Sequence, residues 1–304
     1  MATLKLYQPI NMNLLEAWDG DFTTVGSDRI SVTDGFRTQD YFGNFQFAND
    51  EVSGGTLTST VAYQNGLYYE LTDLNADAAT VAEYIGGFDF TGALNEVLKG
   101  DDTIFGSAGN DVIRGGAGND TITGGAGIDT VQYGNKSGLI VTHTADANGP
   151  AFAVTVDGKI DVVSGVERLA FSDGSTLALD VGFGENAGSA YRLYQAAFDR
   201  KPDAAGLNYW TKDLDAGNSL QQVSKGFMAS SEFKSLNPGN DQNSLINNFY
   251  LHVLHRDADA AGLQYWNDQM SHGMSAGDVL LSFSESQENL NNTAATLNNG
   301  IWLM

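Results

Sequence analysis

The stretch Val97–Gln132 repeats with a period of nine. Its second block is Gly106-Ser107-Ala108-Gly109-Asn110-Asp111-Val112-Ile113-Arg114, and the third is Gly115-Gly116-Ala117-Gly118-Asn119-Asp120-Thr121-Ile122-Thr123. Asp102, Asp111, Asp120 and Asp129 fall nine apart, and so do Ile104, Ile113, Ile122 and Val131. Glycines at the first, second and fourth positions open backbone conformations closed to other residues. Such turns can point carbonyl oxygens inward, and the aspartate at position six adds a carboxylate. Several hard oxygen donors per ion, some of them carbonyls, are what calcium takes. The apolar residue two after each aspartate suits a short strand on a narrow core. A flexible Gly/Asn/Asp linker is the competing reading, but it does not explain apolar residues held in register.

The block resembles the RTX, or hemolysin-type, calcium-binding repeat family, with the pattern Gly-Gly-x-Gly-x-Asp-x-apolar-x over about 36 residues. The resemblance implies a parallel β-roll whose strands alternate between two sheets, with each ion between turns two repeats apart. Asp102 would then pair with Asp120, and Asp111 with Asp129, giving about two well-formed Ca2+ sites. The implied ligand set is Gly100, Asp102, Gly109, Asn110, Asp111, Gly116, Gly118, Asn119, Asp120, Gly125, Gly127 and Asp129. The first block departs from the pattern with Val97-Leu98, the second with Ser107 and the fourth with Ile128. Folding is expected to be coupled to the ion, because the turns otherwise carry uncompensated carboxylates.

The resemblance also implies export through a type I secretion channel and folding where calcium is plentiful. Met1-Ala2-Thr3-Leu4-Lys5 lacks a basic segment followed by an apolar one, which fits that route. The apolar Ile301–Met304 is a candidate uncleaved C-terminal signal. The expected location is secreted, extracellular or at the cell surface.

The whole chain has 304 residues, long for one core, so two or three domains are expected. With 38 acidic against 15 basic residues the net charge is -23, which argues against a nucleic-acid partner. There are no cysteines, which excludes disulfides and thiol chemistry. There is no apolar run of about 18 residues, so no transmembrane segment is expected.

A multidomain α+β fold is expected. Residues 1–95 read as a β-rich, sandwich-like interaction domain. Phe45/Phe47, Val61/Tyr63 and Leu67/Tyr69/Leu71 alternate at period two, and Asn65-Gly66 predicts a tight hairpin. Ala76–Ile85 reads as a helix capped by Asn75. The dense aromatics of this part read as core and cross-strand pairs, or else as a platform for sugar rings. Residues 96–132 are the roll, and 133–183 a β cap or linker with turns at Asp157-Gly158 and Asp173-Gly174.

Residues 184–290 read as a helical domain of two repeats offset by 56 residues, and 291–304 as a tail. Tyr194 to Trp210 matches Tyr250 to Trp266, and each repeat reads as three short helices capped by Asp203 or Asp259 and by Ser219 or Ser275. Arg200-Lys201-Pro202-Asp203-Ala204-Ala205-Gly206-Leu207-Asn208-Tyr209-Trp210 resembles the signature of the domain-of-unknown-function 4214 family. That family often follows RTX repeats in secreted bacterial proteins.

His252 and His255 stand three apart, close enough to share a metal, though such a pair more often only lies along one helix face. His-Glu-x-x-His is not present. A paired-carboxylate site leaves no local spacing, but 95 residues are few for such a domain. The expectation is therefore not an enzyme. It is a calcium-dependent structural protein of the bacterial surface or matrix: a self-assembling layer (S-layer) or filament, or a biofilm adhesin. The alternative is an exopolysaccharide-binding protein, and a polysaccharide-degrading enzyme stands third.

Overall fold

The computed structural model describes residues 1–147, 149–238 and 241–304. They divide into two compact units, Met1–Gly174 and Ser175–Met304.

The first unit begins with β1 (Thr3–Leu6), β2 (Asp21–Val25), β3 (Arg29–Thr33), β4 (Arg37–Ala48), β5 (Glu51–Gln64), β6 (Leu67–Thr72) and β7 (Ala76–Asp77). Two helices follow, α1 (Ala78–Gly86) and α2 (Phe90–Val97). The repeat block then supplies β8 (Thr103–Phe105), β9 (Val112–Ile113), β10 (Thr121–Thr123) and β11 (Thr130–Tyr133). The unit closes with β12 (Ile140–Asp146), β13 (Gly149–Val156), β14 (Lys159–Ser164) and β15 (Arg168–Phe171).

One sheet of 12 strands runs in the order β12-β13-β14-β10-β8-β1-β6-β5-β4-β3-β2, with β7 paired to β5 off that path. The N-terminal strands therefore join the roll's own sheet instead of forming a separate sandwich. The joint is β1, antiparallel to β6 and parallel to β8.

The hairpin at Asn65-Gly66 forms as the sequence predicts. Both residues have positive φ (55° and 116°), which the tight turn between twisted strands requires. Tyr69 and Leu71 are buried, but Val61 and Tyr63 lie on the other face. Thr60 and Ala62 take the buried positions of β5 instead. Thr60 is accommodated there because its Oγ1 donates to the Asp40 carbonyl and accepts from the Gln39 amide. Phe45 is core, while Phe36, Phe47 and Tyr63 are exposed. The helix expected over Ala76–Ile85 starts two residues later. Asp77, not Asn75, caps it by accepting from Thr80 N at 2.8 Å, because Ala76–Asp77 is held as a strand by Thr56 and Leu57.

In the roll, strands alternate between two sheets. β8 and β10 pair in parallel in the large sheet, Ile104 opposite Ile122. β9 and β11 pair in a second sheet, Ile113 opposite Val131. All four apolar residues are fully buried. The roll does not stop at the repeats. β14 continues the first side with Val163 against Ile122, and β15 continues the second with Leu169 against Val131. Leu4 adds to the other end beside Ile104, and Asn11 bridges to Val112. A nine-residue turn-and-strand unit cannot bury its own apolar residue, so flanking chain closes both ends of the stack.

The second unit holds β16 (Thr176–Ala178), α3 (Asn186–Phe198), α4 (Ala204–Asp215), α5 (Leu220–Ala229), α6 (Ser231–Leu236), α7 (Gln242–Leu254), α8 (Ala260–Ser271), α9 (Ala276–Ser284), α10 (Gln287–Leu297) and β17 (Ile301–Trp302). Among the described residues each repeat has four helices, one more than the sequence reading. The extra break falls at Ser230 and Ser286, whose extended backbone and side-chain caps start a new helix. Asp203 and Asp259 cap α4 and α8, and Ser219 and Ser275 form capping boxes on α5 and α9, as expected.

Trp210 stacks on Phe227 at 4.5 Å, and Trp266 lies 5.0 Å from Phe283 at the equivalent place. Buried Arg192 makes a two-pronged pair with Glu285 (2.9 and 2.8 Å) that ties the repeats together. α10 runs through Asn291, and the final Ile301–Trp302 pairs with β16, so the last residues are packed chain: Leu303 is buried. His252 sits on α7 and His255 is its left-handed end residue.

Candidate calcium site

The turns between the roll's strands stack with a spacing of two repeats, on each side of the roll. Asp120 Oδ1 accepts from Asp102 N at 2.9 Å, and Asp129 Oδ1 accepts from Asp111 N at 2.8 Å. A second ladder runs beside the first. Asp101 Oδ1 accepts from Asn119 N at 2.8 Å, and Asn110 Oδ1 accepts from Ile128 N at 2.9 Å. The four repeat aspartates are all at most 2% exposed.

The glycines are needed where these turns touch. A Cβ on Gly116 would sit 2.1 Å from Leu98 O, and one on Gly118 would sit 2.1 Å from Gly100 O. On the other side Gly125 faces Ser107 O at 2.1 Å, and Gly127 faces the Gly109 carbonyl carbon and Asn110 Oδ1, each at 2.8 Å. Gly116, Gly118, Gly125 and Gly127 all have positive φ. The structure thus brings the sequence-read residues together in two sets. Gly100, Asp102, Gly116, Gly118, Asn119 and Asp120 meet on one side, and Gly109, Asn110, Asp111, Gly125, Gly127 and Asp129 on the other. Gly109 also abuts Pro9, whose Cγ lies 2.6 Å from its Cβ position.

Sequence reading missed the groups that continue the ladders. Asp120 N donates to Asp161 Oδ1 at 2.9 Å, and Asp129 N to Glu167 Oε2 at 2.7 Å. At the other end Ala2 N donates to Asp102 Oδ1, and Ile10 N to Asp111 Oδ1 at 2.6 Å. A signal was present. Asp161-x-Val163 and Glu167-x-Leu169 keep the acid-x-apolar spacing of the repeats.

The donor set suits a hard divalent cation. Asp102 Oδ2 and Asp129 Oδ2 are buried without a hydrogen-bond partner, an arrangement that costs a carboxylate several kcal/mol unless a cation answers it; at Asp102 the Met1 ammonium lies 3.9 Å from Oδ1. Leu98 O, Gly100 O and Ser107 O of the facing turns would be the carbonyl donors nearest the glycines. Among the described residues no three His, Asp or Glu side chains gather at one point. A bound calcium would supply charge neutralisation and a crosslink between turns; the aspartates and carbonyls above would hold it.

Burial raises the Asp102 and Asp161 carboxyls above the usual range. It pushes Asp120 up to about 7, with Asp161 and Asp102 adding repulsion. Asp129 likewise rises to about 7, with Glu167 and Asp111 adding repulsion. The folded, ion-free roll therefore binds protons more tightly than the unfolded chain. Its stability rises as pH falls from above about 7 toward the ordinary carboxylate range, and the full penalty applies above about 7. In chelator, exchange protection of the Ile122 and Val131 amides, corrected for intrinsic rate, is expected to be greater at about pH 5 than at about pH 8. Equal protection at both would contradict this.

Residues 99–131 match the family model for the RTX calcium-binding nonapeptide repeat (4 copies). Residues 184–237 and 238–293 each match the model for a domain of unknown function, number 4214. No curated protein matches the chain. Both families are non-catalytic as a rule, RTX repeats are typical of secreted proteins, and among the described residues no helix is long and apolar enough to cross a membrane. The chain is therefore similar to RTX calcium-binding nonapeptide repeats over residues 99–131 and, twice in tandem, to the 4214 family over residues 184–293.

Proposed function

We propose that this is a secreted, calcium-dependent structural protein of the cell surface or extracellular matrix, in which calcium drives folding and, through it, assembly into a layer, filament or adhesive contact. The observation that carries the reading is that each of the two turn stacks, Asp102 with Asp120 and Asp111 with Asp129, holds one buried, unpartnered carboxylate oxygen, Asp102 Oδ2 in the first and Asp129 Oδ2 in the second. The ion would order β8, and β8 pairs with the strand that joins the N-terminal sheet. That sheet ends in β2, an edge strand exposed along its length that presents Phe22 and Val25. An open apolar edge of this kind supports pairing with another chain. Export through type I secretion machinery belongs to the same reading.

A second reading, binding of cell-surface polysaccharide, rests on Tyr209 and Tyr265. They hold equivalent positions in the two helical repeats and are 63% and 55% exposed, enough ring face for sugar stacking. Light scattering on the full chain separates the two. Particles larger than one chain in calcium that dissociate in chelator support assembly. A single-chain mass in both conditions, with Trp fluorescence quenched by exopolysaccharide, supports the second reading.

A further inference from the structure

We propose that Asp129, Gly165 and Glu167 form a further calcium site just beyond the repeats, between the last repeat turn and the short turn that leads into β15. The inference rests on the calcium reading above and extends it to residues outside 99–131, where the family match ends.

Two relations that define the stacked repeat turns recur here. Within the repeats, Gly124 O lies 1.8 Å from the point where Gly106 would carry a Cβ, and Asp129 Oδ1 accepts from Asp111 N. One step on, Gly165 O lies 2.0 Å from the Cβ point of Gly124, and Glu167 Oε2 accepts from Asp129 N. Gly165 thus stands to Gly124 as Gly124 stands to Gly106, and Glu167 stands to Asp129 as Asp129 stands to Asp111. The strands that follow keep the register, Thr130 opposite Arg168.

The turn itself is cut short. Gly124 to Asp129 is five steps (129 − 124), whereas Gly165 to Glu167 is two (167 − 165). Glutamate has one methylene more than aspartate, and that extra reach brings its carboxylate to the same amide from a shorter turn.

The donors point to a cation. Asp129 Oδ2 is buried, has no hydrogen-bond partner, and lies 2.8 Å from the Gly124 Cβ point that Gly165 O also faces. A carboxylate oxygen and a carbonyl oxygen therefore lie beside the same glycine, close enough to share one cation, with a second carboxylate hydrogen-bonded to Asp129 N. All are hard oxygen donors, the set calcium takes over softer metals. The shortened turn offers fewer carbonyls than a full repeat turn, so the ion would keep more water and bind more weakly than at the repeat sites.

The opposite side of the roll ends differently. Asp161 Oδ1 accepts from Asp120 N and Oδ2 from the Tyr133 hydroxyl, each at 2.9 Å, and the three atoms nearest the Gly115 Cβ point all belong to Asp120. That end is closed by hydrogen bonds, and it provides an internal control.

The test is a calcium titration of the full chain by calorimetry, comparing the parent with Glu167→Gln and Asp161→Asn. Glu167→Gln keeps an oxygen that accepts from Asp129 N but removes the charge. It is expected to lose, or weaken roughly tenfold or more, one binding event, the weakest. Asp161→Asn is expected to keep every event. An unchanged titration for Glu167→Gln would overturn the proposal and leave the repeat sites standing, as would loss of the same event in Asp161→Asn. A parent chain that binds no calcium would overturn both. Crystals of the parent chain grown in calcium give a readout that needs no variant. An anomalous peak between Asp129 Oδ2 and Gly165 O is expected, and its absence from an otherwise calcium-loaded roll would overturn the assignment.

Discussion

In excess chelator at neutral pH the segment Val97–Gln132 is expected to lose its folded structure, while α3 to α10 keep theirs. The two units have different sources of stability. The helical unit is held by a continuous apolar core that includes Leu193, Phe227, Ile246, Phe249, Val279 and Phe283. The roll has a single file of apolar residues, Ile104, Ile113, Ile122 and Val131, each on a strand of two to four residues. Against that thin core stand four buried aspartates stacked in pairs, and Asp102 Oδ2 and Asp129 Oδ2 have no hydrogen-bond partner. Leaving even one charge buried and unpaired costs about 3–5 kcal/mol, comparable to the stability of a small domain. Binding of calcium to the folded form alone would reverse this by mass action. Far-ultraviolet circular dichroism should show β signal lost and helical signal kept.

Gly116→Val is expected to abolish folding of the roll even in saturating calcium. Gly116 has φ +95°, and its Cβ point lies 2.1 Å from Leu98 O and 3.1 Å from Leu98 C. These are backbone atoms of the facing turn, so no rotamer change relieves the clash. A β-branched residue at this φ adds strain of about 1–3 kcal/mol before any clash is counted. Separating the two turns would also pull apart the carbonyls on which the ion depends. Gly134→Ala is the control. Nothing lies within 4 Å of its Cβ point and its φ is not positive, so its effect should stay within about 0.5 kcal/mol. Urea unfolding in calcium distinguishes them. The control should keep the parent's transitions, and Gly116→Val should lack the one that reports the roll. A parent-like curve for Gly116→Val would count against the stacked-turn account.

The most legible parts of this chain were those where one physical requirement repeats. A period of nine exposes the roll because each turn needs the same glycines and each strand the same apolar residue. Asn65-Gly66 announced its hairpin because few residues adopt two successive left-handed conformations. Asp203, Asp259, Ser219 and Ser275 announced helix starts because capping uses a short polar side chain at one position.

The parts that stayed hidden depend on partners distant in the chain. Asp161 and Glu167 extend the carboxylate ladders, but the hairpin β12–β13 intervenes and breaks the period. β1 reads as an unremarkable Thr-Leu-Lys-Leu, and only the fold places it between β6 and β8. Val61 and Tyr63 alternate convincingly, yet a buried Gln39–Thr60–Tyr69 hydrogen-bond cluster turns the opposite face inward. α2 escaped notice because it is eight residues long with Gly92 inside.

The most direct test of the central claim is hydrogen exchange on the intact chain, read by mass spectrometry in calcium and again in excess chelator. The account predicts that peptides covering β8 to β11 lose protection on chelation and regain it when calcium is restored, while peptides from α3 to α10 exchange alike in both. Equal protection of residues 97–132 with and without calcium would contradict it.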